Sequence, residues 1–330
     1  MGAPRLEPRI GTRNPLQREV EERIEEDLVR RAFLILVLLS LIVFTGFPMG
    51  CSEEASPFTV TDDLGRQVNI EKSPKRIVSL APSVTEILFA LDLDDRVVGV
   101  TEACDYPDEA KDKPEVGGYF STSLESILYQ DPDLILTDGY DPVVEQIKER
   151  GVPMLVLQPS DIDGILGDIR LVGQVMNVEG KARELAESLQ RRLDEVTGKT
   201  AGVARRPTVF YEIDASDQTK PWTVGPGSLA DSLISLAGGQ NILQEGGAYP
   251  QINLETLLSA DPDLVILGDY PYVTPEQVMA RTGVWQQVPA VKNARVYAIS
   301  DPSLTSRPGP RIIDGLEEMA EIIHPELFNG

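Results

Sequence analysis

The sequence predicts an α/β protein of two similar lobes with mostly parallel sheets, joined by one long helix. Three observations predict it. After residue 57 short apolar runs alternate with amphipathic stretches, the pattern of parallel strands layered between helices. From Ile162 to about Val196 the alternation stops and the chain reads as helix alone. A twenty-residue segment occurs twice, as GGYFSTSLESILYQDPDLIL from Gly117 to Leu136 and GAYPQINLETLLSADPDLVI from Gly247 to Ile266, 130 residues apart with nine identical positions. One copy falls on each side of the helical interval, so the two flanking units are related.

The first element is a leader. VRRAFLILVLLSLIVFTGFPMGCS, from Val29 to Ser52, places two arginines before about sixteen mostly apolar residues, then small residues and Cys51. That run is short for a stable membrane span. Its layout is that of a bacterial lipoprotein signal in which Cys51 carries the lipid, with Pro48 where such signals usually have Leu. An uncleaved signal anchor is the alternative, and both place the rest of the chain outside the cytoplasm. Residues 1–50 form the signal segment, with 1–28 a candidate gene-model extension because they are long and rich in both charges. Residues 51–57 are the tether.

FTVTDDLGRQVNI alternates around Asp-Asp-Leu-Gly and reads as a β-hairpin. RIVSLAPSVTEILFALDL gives a strand, a turn and a helix, with Ser83 as N-cap and Glu86 three residues on as its capping-box partner. RVVGVT is a strand; SLESILYQDPDLILTD is helix, Asp-Pro break and strand; VVEQIKERGVPMLVL is helix, Gly stop and strand. These make an N-terminal lobe over 58–160. Residues 161–200 are the connecting helix, ending near Gly198. A C-terminal lobe over 201–330 repeats the alternation in TVFYEI, GSLADSLISLAGG, NLETLLSADPDLVILG, VYAI and a last helix from RIIDGLEEMAEII. GPGS at Gly225–Ser228 reads as an N-cap turn.

Composition excludes several classes of function. The 330 residues suffice for two cores, and the net charge of −23 lies wholly in 51–330, because residues 1–50 hold seven Arg and seven acids. So acidic a surface repels phosphate backbones, which excludes nucleic acid. The cysteines, Cys51 and Cys104, could form one disulfide but have no metal-site spacing. The single histidine, His324, ends an amphipathic helix before Pro325, which leaves no His-His metal site. There is no phosphate loop, no Gly-x-Ser-x-Gly elbow and no singled-out carboxylate pair, so a tethered hydrolytic enzyme is the weaker alternative.

Related lobes facing one another form a cleft, a favoured place for a ligand. The repeat puts Tyr119 and Tyr249 at equivalent loops before helix N-termini. Opposed aromatic walls suit a flat or bulky ligand, and the spacing is equally compatible with each ring packing in its own lobe. Glu125 and Glu255 fall in the first turns of the repeated helices. Thr122 with Glu125 fits a capping box, whereas Ile252 precedes Glu255, so capping does not account for both. A symmetric pair of exposed acids also fits docking on a two-fold symmetric partner.

KRIVSLAPSVTEILFALDLDDRVVGVTEACDYPDEA, VGGYFSTSLESIL, PWTVGPGSLADSLISLAGGQNIL, YPQINLETLLSADPDLVIL and PGPRIIDGLEEMAEII resemble the substrate-binding proteins of iron-siderophore, haem and cobalamin importers, over about residues 58–325. The resemblance implies two α/β lobes on one rigid backbone helix. It implies a monomer that delivers ligand to a two-fold ABC permease driven by a cytoplasmic ATPase. CDYPDEA most resembles the cobalamin (vitamin B12) branch, and implies Tyr106 against a corrin. It implies aromatics before the Glu-bearing helices at Tyr119, followed by Phe120, and at Tyr249. It also implies an aromatic contact at Trp222 and a contact loop SDPSLTSRPGPR with Asp301 and Arg307, this loop being about two residues longer here. Loops around Ser83 and Ser303 would meet the amide rim. The family's docking glutamates fall on Glu125 and Glu255. Cobalamin is then the transported ligand rather than a cofactor, with haem and ferric siderophore as alternatives. A tethered corrinoid scavenger or sensor without a permease is a third reading.

Overall fold

The computed structural model describes residues 57–328 and Arg23, and residues 57–328 lie in one compact unit. Apart from Arg23, the signal segment, most of the tether and Cys51 lie outside the described residues. Among the described residues no helix is long and apolar enough to cross a membrane.

The predicted hairpin is present: β1 (Phe58–Thr61) and β2 (Gln67–Ile70) pair antiparallel, Phe58 opposite Ile70. Asp62 makes the turn, accepting from the Leu64 and Arg66 amides, while Gly65 takes the positive φ of 73°. Asp62 also accepts from the Val156 amide, which fastens the hairpin to the first lobe.

The first sheet follows. It is built from β3 (Ile77–Ser79), helix α1 (Pro82–Ala90), β4 (Val97–Val100), the short hairpin β5 (Gly117–Gly118) and β6 (Ser121–Thr122), α2 (Leu124–Tyr129), β7 (Leu134–Thr137), α3 (Val143–Lys148) and β8 (Met154–Val156). Its order is β4-β3-β7-β8, all parallel. Next come α4 (Ile162–Val175) and α5 (Glu179–Thr200). The second lobe has β9 (Thr208–Asp214), β10 (Trp222–Thr223), α6 (Leu229–Leu236), β11 (Gln240–Asn241), α7 (Leu254–Ala260) and β12 (Leu264–Leu267). It ends with α8 (Pro275–Met279), α9 (Pro289–Lys292), β13 (Val296–Ala298), α10 (Ser303–Ser306), α11 (Ile312–Ile323) and α12 (Pro325–Phe328). There β11, β9, β12 and β13 lie parallel in that order and β10 adds an antiparallel edge. The orders match element for element: β11, β9, β12 and β13 take the places of β4, β3, β7 and β8. Strands buried on both faces, such as LILT and LVIL, carry the core.

The repeat has a structural cause. Asp131 and Asp261 both take the left-handed conformation that ends their helices, at φ 47° and 51°. Two residues on, Asp133 accepts from the Lys75 and Arg76 amides just before β3, and Asp263 accepts from the Thr208 amide that opens β9. Asp-Pro-Asp thus turns the chain out of a helix and stitches the neighbouring strand, once per lobe.

Three local expectations are corrected. Residues 161–200 hold two helices: Asn177, at φ 56°, breaks the run between α4 and the 22-residue α5. Ser83 is not an N-cap, because α1 starts at Pro82 after an extended Ala81, and Glu86 turns away to arginines of the other lobe. Thr122 does not cap α2 either, since its hydroxyl donates to Asp141. The caps are one residue later and the same in both copies, Ser123 accepting from the Ser126 amide and Asn253 from the Thr256 amide. Ser123→Ala and Asn253→Ala should each cost about 1 kcal/mol, read as a fall of a few degrees in melting temperature. His324 has a structural place, buried with its Nε2 on the Gly238 carbonyl oxygen at 3.1 Å and Nδ1 on Glu326 at 2.9 Å.

Candidate ligand cleft

The candidate residues lie in loops leaving the carboxyl ends of the parallel strands, where open α/β sheets bind ligands. The two lobes meet there, through residues more than 200 positions apart in sequence. Gly309 comes so close to α1 that a Cβ on it would stand 3.2 Å from Glu86 Oε2 and 3.3 Å from the Ser83 carbonyl oxygen. Ser83 itself is buried at this junction.

Five charged groups cross the junction. Arg311 grips Glu86 with two bonds, Nε to Oε2 at 3.1 Å and Nη2 to Oε1 at 2.7 Å, and donates from Nη1 to Asp301 at 2.9 Å. Its guanidinium lies 3.7 Å from the centroid of the Tyr106 ring, a cation–π stack. Arg307 donates to Asp105 at 2.6 Å and stands 3.5 Å from Glu86. Burial favours the neutral acid at Asp105, but Arg307 overrides it and holds that carboxyl below its usual range. Asp301 is likewise held low against burial, by Ser303 and Arg311. Ser303 gives both its amide, at 2.9 Å, and its hydroxyl to Asp301.

The other aromatic candidates lie beyond the carboxyl ends of the parallel strands. Tyr119 sits at the tip of the β5–β6 hairpin, at whose open end Gly117, at φ 125°, pairs with Thr122. Its ring packs on Phe120 at 4.4 Å and its hydroxyl donates to Asp138. Burial, then Asp138, pushes the Tyr119 phenol well above its usual range, and burial also raises Asp138. In the second copy Tyr249 and Pro250 instead run beside β10, the Thr223 amide donating to the Pro250 carbonyl at 3.0 Å. Tyr249 and Trp222 are therefore neighbours on one wall. Tyr106, Phe120, Trp222 and Tyr249 are 45%, 65%, 41% and 58% exposed, unusual for large apolar rings outside a binding surface.

Sequence reasoning missed Tyr140, 60% exposed at the end of β7. After burial it is the next cause raising the Tyr249 phenol, and it is a lesser cause at Tyr119. It also missed Glu86, whose signal was a lone acid inside the apolar VTEILFAL. Glu125 and Glu255 stand apart from the floor, exposed in the first turns of α2 and α7. Neither forms an ion pair among the described residues. No group of three or more His, Cys, Asp or Glu there could hold a metal ion, and Cys104 is a buried free thiol.

A family model described as periplasmic binding protein matches residues 77–302. The chain is 32% identical to the Bacillus subtilis ABC transporter substrate-binding lipoprotein YvrC, over 83% of this chain and 88% of that one. Among solved structures it resembles the periplasmic vitamin B12 binding protein BtuF of Vibrio cholerae, with TM-score 0.65 and 27% identity over 78% of this chain and all but 1% of that one, 99%. It also resembles the periplasmic heme-binding protein RhuT of Roseiflexus, with TM-score 0.68 and 25% identity over 77% and 99%. The chain belongs to the periplasmic binding protein family and is a substrate-binding protein of an ABC importer.

Proposed function

We propose that the cleft binds cobalamin or a related corrinoid and that the chain hands it to an ABC permease from the outer side of the membrane, tethered through Cys51. One observation carries the choice of ligand. Both arginines of the cleft floor are already met by carboxylates, Arg311 by Glu86 and Asp301, Arg307 by Asp105 and Glu86. Three acids against two arginines leave the floor at −1. An anionic ferric chelate would have to strip these pairs to find a cation, at the cost of leaving carboxylates unpaired. A ligand recognised by aromatic faces and amide hydrogen bonds fits without that loss, and a rigid one loses little conformational entropy.

Haem is the second reading, supported by the likeness to the Roseiflexus protein. With no histidine in the cleft, an axial oxygen would fall to a tyrosine such as Tyr119 or Tyr106. Tyr119 is disfavoured, since burial and Asp138 hold it as the phenol rather than the phenolate.

Calorimetric titration of residues 52–330 tests the reading. Cyanocobalamin should bind below micromolar, about −8 kcal/mol or tighter, with haemin and a ferric siderophore at least about tenfold weaker. Tight haemin or siderophore binding with no cobalamin heat would overturn the ligand and leave the family untouched.

A further inference from the structure

We propose that Glu86 is the positioning residue of the cleft: through Arg311 it sets the plane of Tyr106 without touching ligand. The inference rests on reading the cleft as the ligand site. Glu86 is 3% exposed on a helix whose neighbouring Val84, Ile87 and Leu88 are buried core, a costly place for a carboxylate unless it is paired. Both of its oxygens are used, by arginines 221 and 225 residues away. Arg311 is held along one edge by Glu86 and at its Nη1 by Asp301, so the planar group cannot turn. Its flat face is therefore a fixed platform for Tyr106 at 3.7 Å. Arg307 has two seats in the first lobe, Asp105 at 2.6 Å and Glu86 at 3.5 Å. Glu86 thus ties the second lobe to the first under the site, and meets the platform of the ligand-facing ring through Arg311.

The test is Glu86→Gln, which keeps the shape and removes the charge. Fluorotyrosine-labelled protein reads the effect with no ligand present. The Tyr106 resonance, assigned with Tyr106→Phe, should move, while those of Tyr129 and Tyr272, 86% and 89% exposed, stay. Cyanocobalamin titration then closes a cycle with Tyr106→Leu. Glu86→Gln should weaken binding about tenfold in the native background and less than about twofold once Tyr106 is Leu, because the path through the ring is gone. A side chain that merely held the fold would weaken both backgrounds equally. Arg311→Lys keeps the charge but loses the platform; it should give the same pattern, and it serves where Glu86→Gln does not fold. An unmoved Tyr106 resonance in the folded variant, or equal losses in the two backgrounds, overturns the proposal. A native chain that binds no corrinoid overturns the ligand reading alone, and the resonance still decides this one.

Discussion

Cells whose only copy of this chain carries Glu125→Ala with Glu255→Ala should lose uptake by at least about tenfold, while the purified double variant binds ligand as the native chain does. The expectation comes from how the two residues are held. Ser123 and Asn253 cap equivalent helices through their N3 amides, and the glutamate sits in the first turn of each. Both carboxylates are exposed, one per lobe, on lobes whose strand orders correspond. A pair of like acids on a pseudo-symmetric face is the complement of a permease dimer carrying one basic patch per subunit. Exposed charge pairs between partners govern orientation and encounter rate and weaken with salt. Each single variant should therefore be intermediate, and native uptake by membrane vesicles should fall with ionic strength. The helix-dipole loss, about 0.3–1 kcal/mol per site, is too small to unfold the chain. Undiminished uptake by the double variant would remove the docking assignment and leave the cleft assignment standing.

What the sequence revealed and what it hid divide along a physical line. Local signals were legible: the Asp-Asp-Leu-Gly turn, the alternation that built both sheets, and the repeat that put an Asp-Pro-Asp turn in each lobe. Caps were legible only to within one residue, because Thr122 and Ser123 both offer a hydroxyl and only the fold shows Thr122 spent on Asp141. The Ser83–Glu86 spacing satisfied a local rule, yet a partner more than two hundred residues away won the glutamate. A buried bidentate ion pair outweighs a local capping bond, and no window of sequence contains both partners. Asn177 was the same kind of case. A single residue able to adopt positive φ divides what amphipathic periodicity alone read as one helix. Tyr140 lay just past a strand the sequence did predict, and its 60% exposure is settled by the fold rather than by its neighbours in sequence.

The largest stability effect is expected at Asp168, a residue no binding argument uses. It faces the core from α4 at 3% exposure, and its Oδ2 has no hydrogen-bond partner. Burial, and then the carboxylate of Asp63 beside it, push the acid up to about 8. Asp63 is itself committed, accepting from the Gln158 amide at 2.5 Å. An unfolded aspartate titrates near its ordinary value of 3.8. Below that pH both states are protonated and the stabilising effect of the folded environment is fully present. As pH rises toward 8 the unfolded chain releases a proton that the folded chain retains, so stability falls across that window and levels off above it. Asp269 adds to the same trend, pushed up to about 7 by burial and the charge of Glu212. Asp168→Asn removes the titration and supplies an N–H to Asp63 in place of the acid O–H. The full linkage at neutral pH is about 4 kcal/mol. About half of it, ~2 kcal/mol, should survive the cost of seating an amide, which raises the melting temperature by roughly 4 °C at pH 8. At pH 4, just above the unfolded value of 3.8, the linkage has shrunk to about 0.6 kcal/mol, so the same substitution should gain nothing and show only the cost of the amide. Thermal melts of the two proteins from pH 4 to 8 measure the difference directly. A gap that does not widen with pH would place the proton elsewhere than on Asp168.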